Sequence, residues 1–453
     1  MSGGYDIPAA LRESATTRYS ASEEEAVLDW FAARNRSASA RIREVPLSEL
    51  QGWSIAPETG NLRHDSGKFF SVGGIAVKHR AGTPAQWTQP IIHQPEVGVL
   101  GILVRVVDGA LQCLMQAKLE PGNHNGVQLS PTVQATRSNY QRVHGGFAVP
   151  YLEHFFDAPP HRTLVDVLQS EHASWCHRKR NRNMVVLVDE DVEVREGFRW
   201  FTVGQIHQLL ARDGLVNMCS RTVLACLLGC HAPRDDTPGA HSTAELLRWV
   251  NATRAECTAS TDLIPFTDIE GWDTPAGAAA QTPGRTFDIV GVDVKMGDRE
   301  VAQWNQPLLR PRKRGIAAFI VKPVRGIPHA LVHARFEPGN LQNIELSPTV
   351  EAADGAAPAG ERPLFLDDVL RAPRERRLFD TEMAEEGGRY MHARSRHLVV
   401  AAQEDDFTDT PQDYRWISLP QMSRLLRHSH YWGISARSLI GCLHALNASA
   451  VLG

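Results

Sequence analysis

The run Ser174-Trp-Cys-His-Arg-Lys-Arg-Asn-Arg-Asn183 is the densest chemical constellation in the chain. An indole beside several guanidinium groups suits a nucleotide diphosphate. The ring stacks on a base while the planar forks bind phosphate oxygens in pairs. Trp175, Arg178 and Arg180 are therefore candidates for substrate binding, and His177 for proton transfer. Read as a helix over Arg162–Arg182, the segment puts Glu171, Trp175, Arg178 and Arg182 on one face and Ser174, His177 and Asn181 on the next. A solvated basic face is the competing reading. It is weakened by a second string, Tyr390-Met-His-Ala-Arg-Ser-Arg-His397, which keeps Arg394 and Arg396 at the equivalents of Arg180 and Arg182.

Other polar residues sit where a strand meets a turn. Glu120 and Glu337 each open a Glu-Pro-Gly-Asn turn, where a carboxylate either faces a pocket or only caps the turn; both are candidate acid–base groups. Thr136-Arg137-Ser138-Asn139-Tyr140 offers binding groups and a fourth acid–base candidate in Tyr140. Trp87 and Trp304 precede Gln-Pro in two places and are candidates for packing on base or sugar, with burial in the core as the alternative. Arg335, Asn340, Ser347 and Thr349 complete the binding candidates.

Many of these residues occur in pairs because the chain is written twice. Trp87-Thr-Gln-Pro90 recurs as Trp304-Asn-Gln-Pro307, Lys118-Leu-Glu-Pro-Gly-Asn123 as Arg335-Phe-Glu-Pro-Gly-Asn340, and Gln128-Leu-Ser-Pro-Thr-Val133 as Glu345-Leu-Ser-Pro-Thr-Val350, all at one offset of 217. Arg221 answers Arg437 and Cys226 answers Cys442. A period this long is a duplicated domain, not a solenoid unit. Domains are expected at 1–235 and 236–453, joined through the Pro- and Gly-bearing stretch His231–Ser242.

The elements that must position these residues follow one order in both copies. A helix is predicted near Glu24–Arg34. Strands Val99–Val107 and Leu111–Leu119 form a hairpin about Asp108-Gly109, and Ile316–Val321 and Ala330–Phe336 form its counterpart. A helix over Arg162–Arg182, a short strand Met184–Val188 and a last helix near Asn217–Leu228, matched by Ile434–Leu446, complete the pattern. Hairpins mixed with helices indicate an α+β fold, each copy a mixed sheet packed with helices. The copies are not identical. Glu351–Gly360, read as a disordered tip, stands where the first copy has its Thr-Arg-Ser-Asn-Tyr string.

Composition bounds the function. Hydrophobic residues make up 42% and charged residues 22%, an ordinary globular balance, and the net charge of −4 disfavours a dedicated nucleic-acid binder. No apolar run is long enough to span a bilayer, and the N-terminus does not read as a signal peptide. Seven cysteines without a Cys-x-x-Cys pair read as free thiols in a reducing cytosol. Gly-x-Gly-x-x-Gly, Walker, His-Glu-x-x-His and Gly-x-Ser-x-Gly motifs are all missing.

Trp-x-Gln-Pro, Glu-Pro-Gly-Asn-x-x-x-x-x-Leu-Ser-Pro-Thr-Val, Ala-Thr-Arg-Ser-Asn-Tyr and Trp-Cys-His-Arg-Lys-Arg-Asn-Arg-Asn together resemble the NDP-hexose 2,3-dehydratases of bacterial deoxysugar assembly, over nearly the whole chain. The resemblance implies two tandem Nudix-like domains, a homodimer, a dTDP-linked 4-keto-6-deoxyhexose as substrate, no cofactor or metal, and a 3-ketoreductase that takes the product. A Nudix hydrolase would need Arg-Glu-x-x-Glu-Glu-x-Gly on a helix to hold metal. Thr381-Glu-Met-Ala-Glu-Glu-Gly-Gly388 is only a fragment of that pattern, and Glu171 and His172 stand at the equivalents of Glu385 and Glu386. The fragment reads as a relic. A nucleotide-sugar pyrophosphatase and a non-catalytic nucleotide-sugar binder are the alternatives.

Overall fold

Each copy is organised on one seven-stranded mixed sheet. In the computed structural model, which describes residues 5–38, 40–79, 85–140, 148–189, 191–230, 239–270, 286–297, 301–352, 362–403, 406–407 and 409–448, the first sheet runs Thr163–Ser170, Arg180–Leu187, Gly98–Val107, Ala110–Lys118, Phe198–Thr202. Short strands Gln128–Ser130 and Val133–Ala135 pair with Ala110–Lys118 and Gly98–Val107. The second sheet repeats this order as Arg377–Ala384, Arg394–Ala401, Gly315–Val324, Ile327–Phe336, Tyr414–Ser418. Each sheet has one parallel contact, Gly98–Val107 with Arg180–Leu187 and Gly315–Val324 with Arg394–Ala401. The duplicated α+β architecture expected from the sequence is present.

The hairpins form as the turn residues require. Asp108 and Gly109 lie at φ 50° and 80°, and Arg325 and Gly326 at 54° and 76°. Two consecutive left-handed residues match the right-handed twist of the flanking strands. The predicted terminal helices are Met218–Cys230 and Ile434–Ala448, which pack on each other, and Glu24–Arg34 lies within Ala21–Ser37.

The helix expected over Arg162–Arg182 is instead the antiparallel pair Thr163–Ser170 and Arg180–Leu187. The physical reason is a period of two. Val165 and Val167 are buried around an exposed Asp166, and Asn181 and Asn183 are buried between the more open Arg180 and Arg182. Arg182 faces Asp166 across the ladder through two hydrogen bonds of 2.7 and 2.6 Å, and Arg396 repeats this with Asp380 at 2.7 and 2.6 Å. The predicted grouping of Glu171, Trp175, Arg178 and Arg182 on one helical face therefore does not exist. The strand expected at Met184–Val188 begins four residues earlier, at Arg180. Glu351, placed in a loose tip, belongs to the strand Val350–Ala352. Residues 353–360 of that tip, and 231–238 of the linker stretch, lie outside the described residues.

The copies exchange strands. Ala40–Val45 of the first pairs with Phe287–Met296 of the second, from Ala40↔Met296 to Val45↔Gly291. Ser260–Ile264 of the second pairs with Ser71–His79 of the first. Two buried arginines also cross. Arg221 donates to Ser438 and to the carbonyl of Ala384, and Arg437 donates to Thr222 and to the carbonyl of Ser170.

The Glu-Pro-Gly-Asn turns lock this arrangement. The Gly122 N–H donates to the Gly387 carbonyl at 2.7 Å and its carbonyl accepts from His392. Reciprocally, the Gly339 N–H donates to Ala173 at 2.8 Å and its carbonyl accepts from Arg178. A methyl group on Gly122 would stand 1.9 Å from the Tyr390 oxygen, and one on Gly339 2.1 Å from that of Cys176, so only glycine lets these backbones meet.

Candidate active site

A cavity of about 610 Å³ opens over the first sheet. Lys118 and Glu120, at the end of the strand Ala110–Lys118, and Gln134, on Val133–Ala135, form its floor. The exchanged second copy closes it with Trp304 from the strand Gln303–Pro311 and with the turn Glu386–Tyr390. The site is thus composite, because the Gly122 turn carries the second copy's turn against the first copy's strand ends.

Two carboxyl groups face each other there. The Gln134 side-chain N–H₂ donates to Glu120 and to Glu386, at 3.0 Å each. Lys118 lies 3.3 Å from Glu120. Glu386 also accepts from the Gly388 N–H at 2.8 Å. Burial and the neighbouring Glu120 push the Glu386 carboxyl up to about 8, against the pull of Arg389, so it carries its proton at neutral pH. Glu171, on the same wall, accepts from Asn181 at 2.9 Å. Lys179 donates to the Glu96 carbonyl at 2.6 Å, and burial and Arg389 hold its ammonium below the usual range. The arrangement offers one ion-paired carboxylate and one carboxylic acid across a single amide, a pairing suited to moving protons in two directions.

The cavity mouth is aromatic and basic. Trp53 meets Phe70 and His64 at centroid distances of 5.1 and 5.5 Å, and Phe69 meets His64 at 4.7 Å. The Arg389 guanidinium lies 4.3 Å over the Phe70 ring and donates to Gln94 at 3.2 Å.

Of the residues singled out from sequence, the cavity brings together Glu120, Thr136, Ser138, Asn139 and Trp304. Thr136, Ser138 and Asn139 bond among themselves at 2.9–3.0 Å, and Arg137 beside them is exposed. The Tyr140 side chain lies outside the described residues. The other candidates stand elsewhere. Trp175 is buried between the copies, its ring 4.8 Å from those of His172 and Tyr390. His177 packs near His93, and burial and Arg178 lower its imidazole to about 4. Arg178 is exposed in a left-handed turn at φ 49°, and the charge of Arg180 bears on His430.

Trp87 and Trp304 each donate to the Gln two residues on, at 2.9 and 3.0 Å. Gln89 and Gln306 donate in turn to the carbonyls of Ser174 and Gly388, at 2.8 Å each. The Trp-x-Gln motif is thus a latch on the turn of its own copy.

Glu337, Arg335 and Trp87 belong to the counterpart of the cavity floor in the second copy. Arg335 lies 3.7 Å from Glu337 and 3.3 Å from Glu351, the residue that answers Gln134. Burial raises Glu337 to about 7, with Arg335 opposing and Glu351 adding to the shift. His172 replaces Glu386 and is tied to Glu385 at 3.0 Å, while Trp175 replaces Arg389. Trp87 and Phe336 both pack against the cluster of Ile75, Val77 and Ile91. Asn340 and Ser347 are buried in the turn and strand of this copy. Thr349 bridges strands, accepting from the Ile320 N–H at 2.9 Å and donating to the Leu331 carbonyl, as Thr132 does for Leu103 and Leu114.

Both copies match one family model, NDP-hexose 2,3-dehydratase, over residues 24–227 and 243–443. The chain belongs to the NDP-hexose 2,3-dehydratase family. Three relatives agree, each called a dTDP-4-dehydro-6-deoxy-alpha-D-glucopyranose 2,3-dehydratase. That of Amycolatopsis orientalis is 43% identical over 96% of this chain and 93% of its own length. That of Saccharopolyspora spinosa is 41% identical over 92% and 90%, and that of Streptomyces violaceoruber 43% over 92% and 96%.

In this dehydratase the Nudix-box fragment is not on a helix. Thr381–Ala384 end a strand, and Glu385 and Glu386 enter the turn that faces the cavity. Among the described residues no cluster of three His, Cys, Asp or Glu is arranged to hold a metal, and no helix is long and apolar enough to cross a membrane. Lys118, Gln134, Glu171, Lys179, Glu386 and Arg389 also line the cavity and are not among the site candidates read from the sequence. Lys118 and Gln134 were visible within or beside repeated strings, but nothing in the strings says that Glu386 crosses to the other copy.

Proposed function

We propose that the chain removes the 2-hydroxyl, as water, from dTDP-4-keto-6-deoxy-D-glucose at the first-copy cavity, giving the 3,4-diketo-2,6-dideoxy sugar nucleotide. The observation that carries this reading is the pair Glu120 and Glu386, differently paired and joined by one amide, on a cavity of about 610 Å³. That volume falls in the range of small-ligand sites.

The C4 ketone acidifies the C3 hydrogen. Glu120, ion-paired to Lys118, takes that proton, and the electron pair forms the C3–C4 enolate. The enolate pair then makes the C2–C3 double bond as the C2–O bond breaks, and Glu386 supplies the proton with which hydroxide leaves as water. Protonation of the resulting enol at C2 gives the 3-ketone. Atoms balance as loss of one water, and no electrons leave the sugar. Lys179 is the donor available to the enolate oxygen, and one such donor is worth ~2.7–4 kcal/mol in comparable sites. Arg389 meets the diphosphate, the Trp53–Phe70 aromatics meet the base, and Thr136, Ser138 and Asn139 meet sugar hydroxyls.

Incubation with the 4-keto sugar nucleotide should consume it and release nucleotide and maltol-like products of the unstable diketone. An unchanged substrate would refute the reading. Arg389→Ala should raise KM with kcat nearly kept.

The same reading takes the chain as a homodimer of two-domain subunits, divided at 235/236, working in the cytoplasm ahead of a 3-ketoreductase that consumes the reactive diketone. The buried free thiols, Cys113, Cys176, Cys219, Cys226 and Cys442 among them, support a reducing compartment.

A further inference from the structure

The Gln134 amide faces two carboxyl groups at once, and something must fix which end of it they meet. Asn217 stands immediately before the helix Met218–Cys230 and is buried. Its side-chain oxygen accepts from the Ser220 N–H at 2.8 Å, the bond of a helix N-cap. That leaves its amide N–H₂ directed away from the helix, donating to Ser130 Oγ at 2.7 Å and to the Gln134 oxygen at 3.4 Å. With its oxygen engaged by Asn217, Gln134 has only its own N–H₂ to turn toward Glu120 and Glu386. A flipped Gln134 would set amide donors against each other toward Asn217 and turn its oxygen on the Glu120 carboxylate. The second copy lacks the device. Gly433 stands for Asn217, and Glu351 stands for Gln134 and is bound to Arg335 and Ser435.

We propose that Asn217 is a positioning residue of the dehydration site, holding the Gln134 amide so that its N–H₂ serves both carboxyl groups. This rests on the assignment of Glu120 and Glu386 as the proton-transfer pair. The amide donor stabilises the charged form of Glu120, so it keeps the base available at lower pH. The other charged or titratable groups around the pair are Lys118 on its own strand, Glu171, Cys176 and Lys179 from the neighbouring segment, Arg389 and Tyr390 from the second copy and Cys219 from the capped helix. The Asn217 side chain meets Ser220, Ser130 and Gln134 instead, and all of these charged groups are kept in the variants below.

The test is the pH profile of kcat/KM for Asn217→Ser, whose hydroxyl still caps the helix but offers no amide. The acid limb should move up by about one pH unit, kcat at neutral pH should fall about tenfold, and KM should stay the same. Gln134→Leu, which touches no cap, should produce the same upward shift by itself. On the Gln134→Leu background, Asn217→Ser should add no further shift. A wild-type profile for Gln134→Leu or for folded Asn217→Ser, or an Asn217→Ser shift undiminished on the Gln134→Leu background, overturns the inference. Glu120→Gln and Glu386→Gln separate the two levels. If both keep wild-type kcat, the proton-pair assignment falls and the positioning role with it. If both lose activity while the Asn217 and Gln134 variants keep the parent profile, only the positioning role falls.

Discussion

The two copies put equivalent residues to different uses. In the first, Lys118, Glu120 and Gln134 face an open cavity, and the partner copy contributes Glu386 and Arg389. In the second, Arg335 pairs with both Glu337 and Glu351, and the partner copy contributes His172 and Trp175. One exchange, Gln134 for Glu351, decides much of the difference. A neutral amide can bridge two carboxyl groups, whereas a carboxylate in its place beside Glu337 needs a cation and takes Arg335 for it. A fork pre-organised for two carboxylates then ties the second set into a neutralising cluster. Duplication supplied two scaffolds, and a few side chains left one with a bridged carboxyl pair on an open cavity and the other with a neutralised cluster.

The largest test of this contrast is the pair Glu120→Gln and Glu337→Gln. The first should lower kcat ~10²–10⁴-fold, the range of general acid–base catalysis, and the second should leave kcat nearly unchanged. Equal losses in steady-state assays would erase the distinction.

Next comes the ion pair between the copies. Glu385 is 3.0 Å from His172 and 3.7 Å from Arg221. Burial opposes both charges, but the pairing wins: Glu385 is held down to about 2 and His172 is raised above its usual 6.5. The Glu385 contribution to stability is therefore complete above its unfolded value near 4.5 and is lost as pH falls toward 2. The His172 contribution is complete below 6.5 and is lost as pH rises through its raised folded value. His172→Gln should cost about 3–5 kcal/mol near pH 6 by stranding a buried charge, and should remove the alkaline decline in urea melts taken from pH 6 to 9.

A smaller effect is expected at the docking turns. Gly122→Ala and Gly339→Ala should each cost about 1–3 kcal/mol in denaturant unfolding, as overpacking does. Only Gly122→Ala should also depress kcat, because it displaces the turn that carries Glu386. Smallest is Thr132→Val against Thr349→Val. Both should lose about 1 kcal/mol with KM unchanged, since each hydroxyl bridges strands inside its own sheet.

Much of this was legible beforehand. The common offset of 217 disclosed the duplication, and Asp108-Gly109 disclosed the hairpin. Glu120 and the Thr136–Asn139 string stand out because strand ends and polar turns are where sites form, and Glu120, Thr136, Ser138 and Asn139 line the cavity. The basic run reads as a helical face by its charges, but its burial has the period of a strand. The buried Asn181 and Asn183 alternate with Arg180 and Arg182, as a strand requires, and Arg182 answers Asp166. Trp175 looked like a base-stacking ring, yet it is buried where the copies meet.

The sequence by itself determined the family, the doubling of the chain and the turn chemistry, because these depend on residues close together or on strings compared with each other. Only the tertiary structure decided that Glu386 belongs with Glu120. Those two residues are far apart in sequence and in different copies, and their encounter depends on exchanged strands and on two glycines that let backbones touch. Long-range pairing of this kind leaves no local period to read, since the free energy that selects it comes from surfaces buried between segments and not from the preferences of either one.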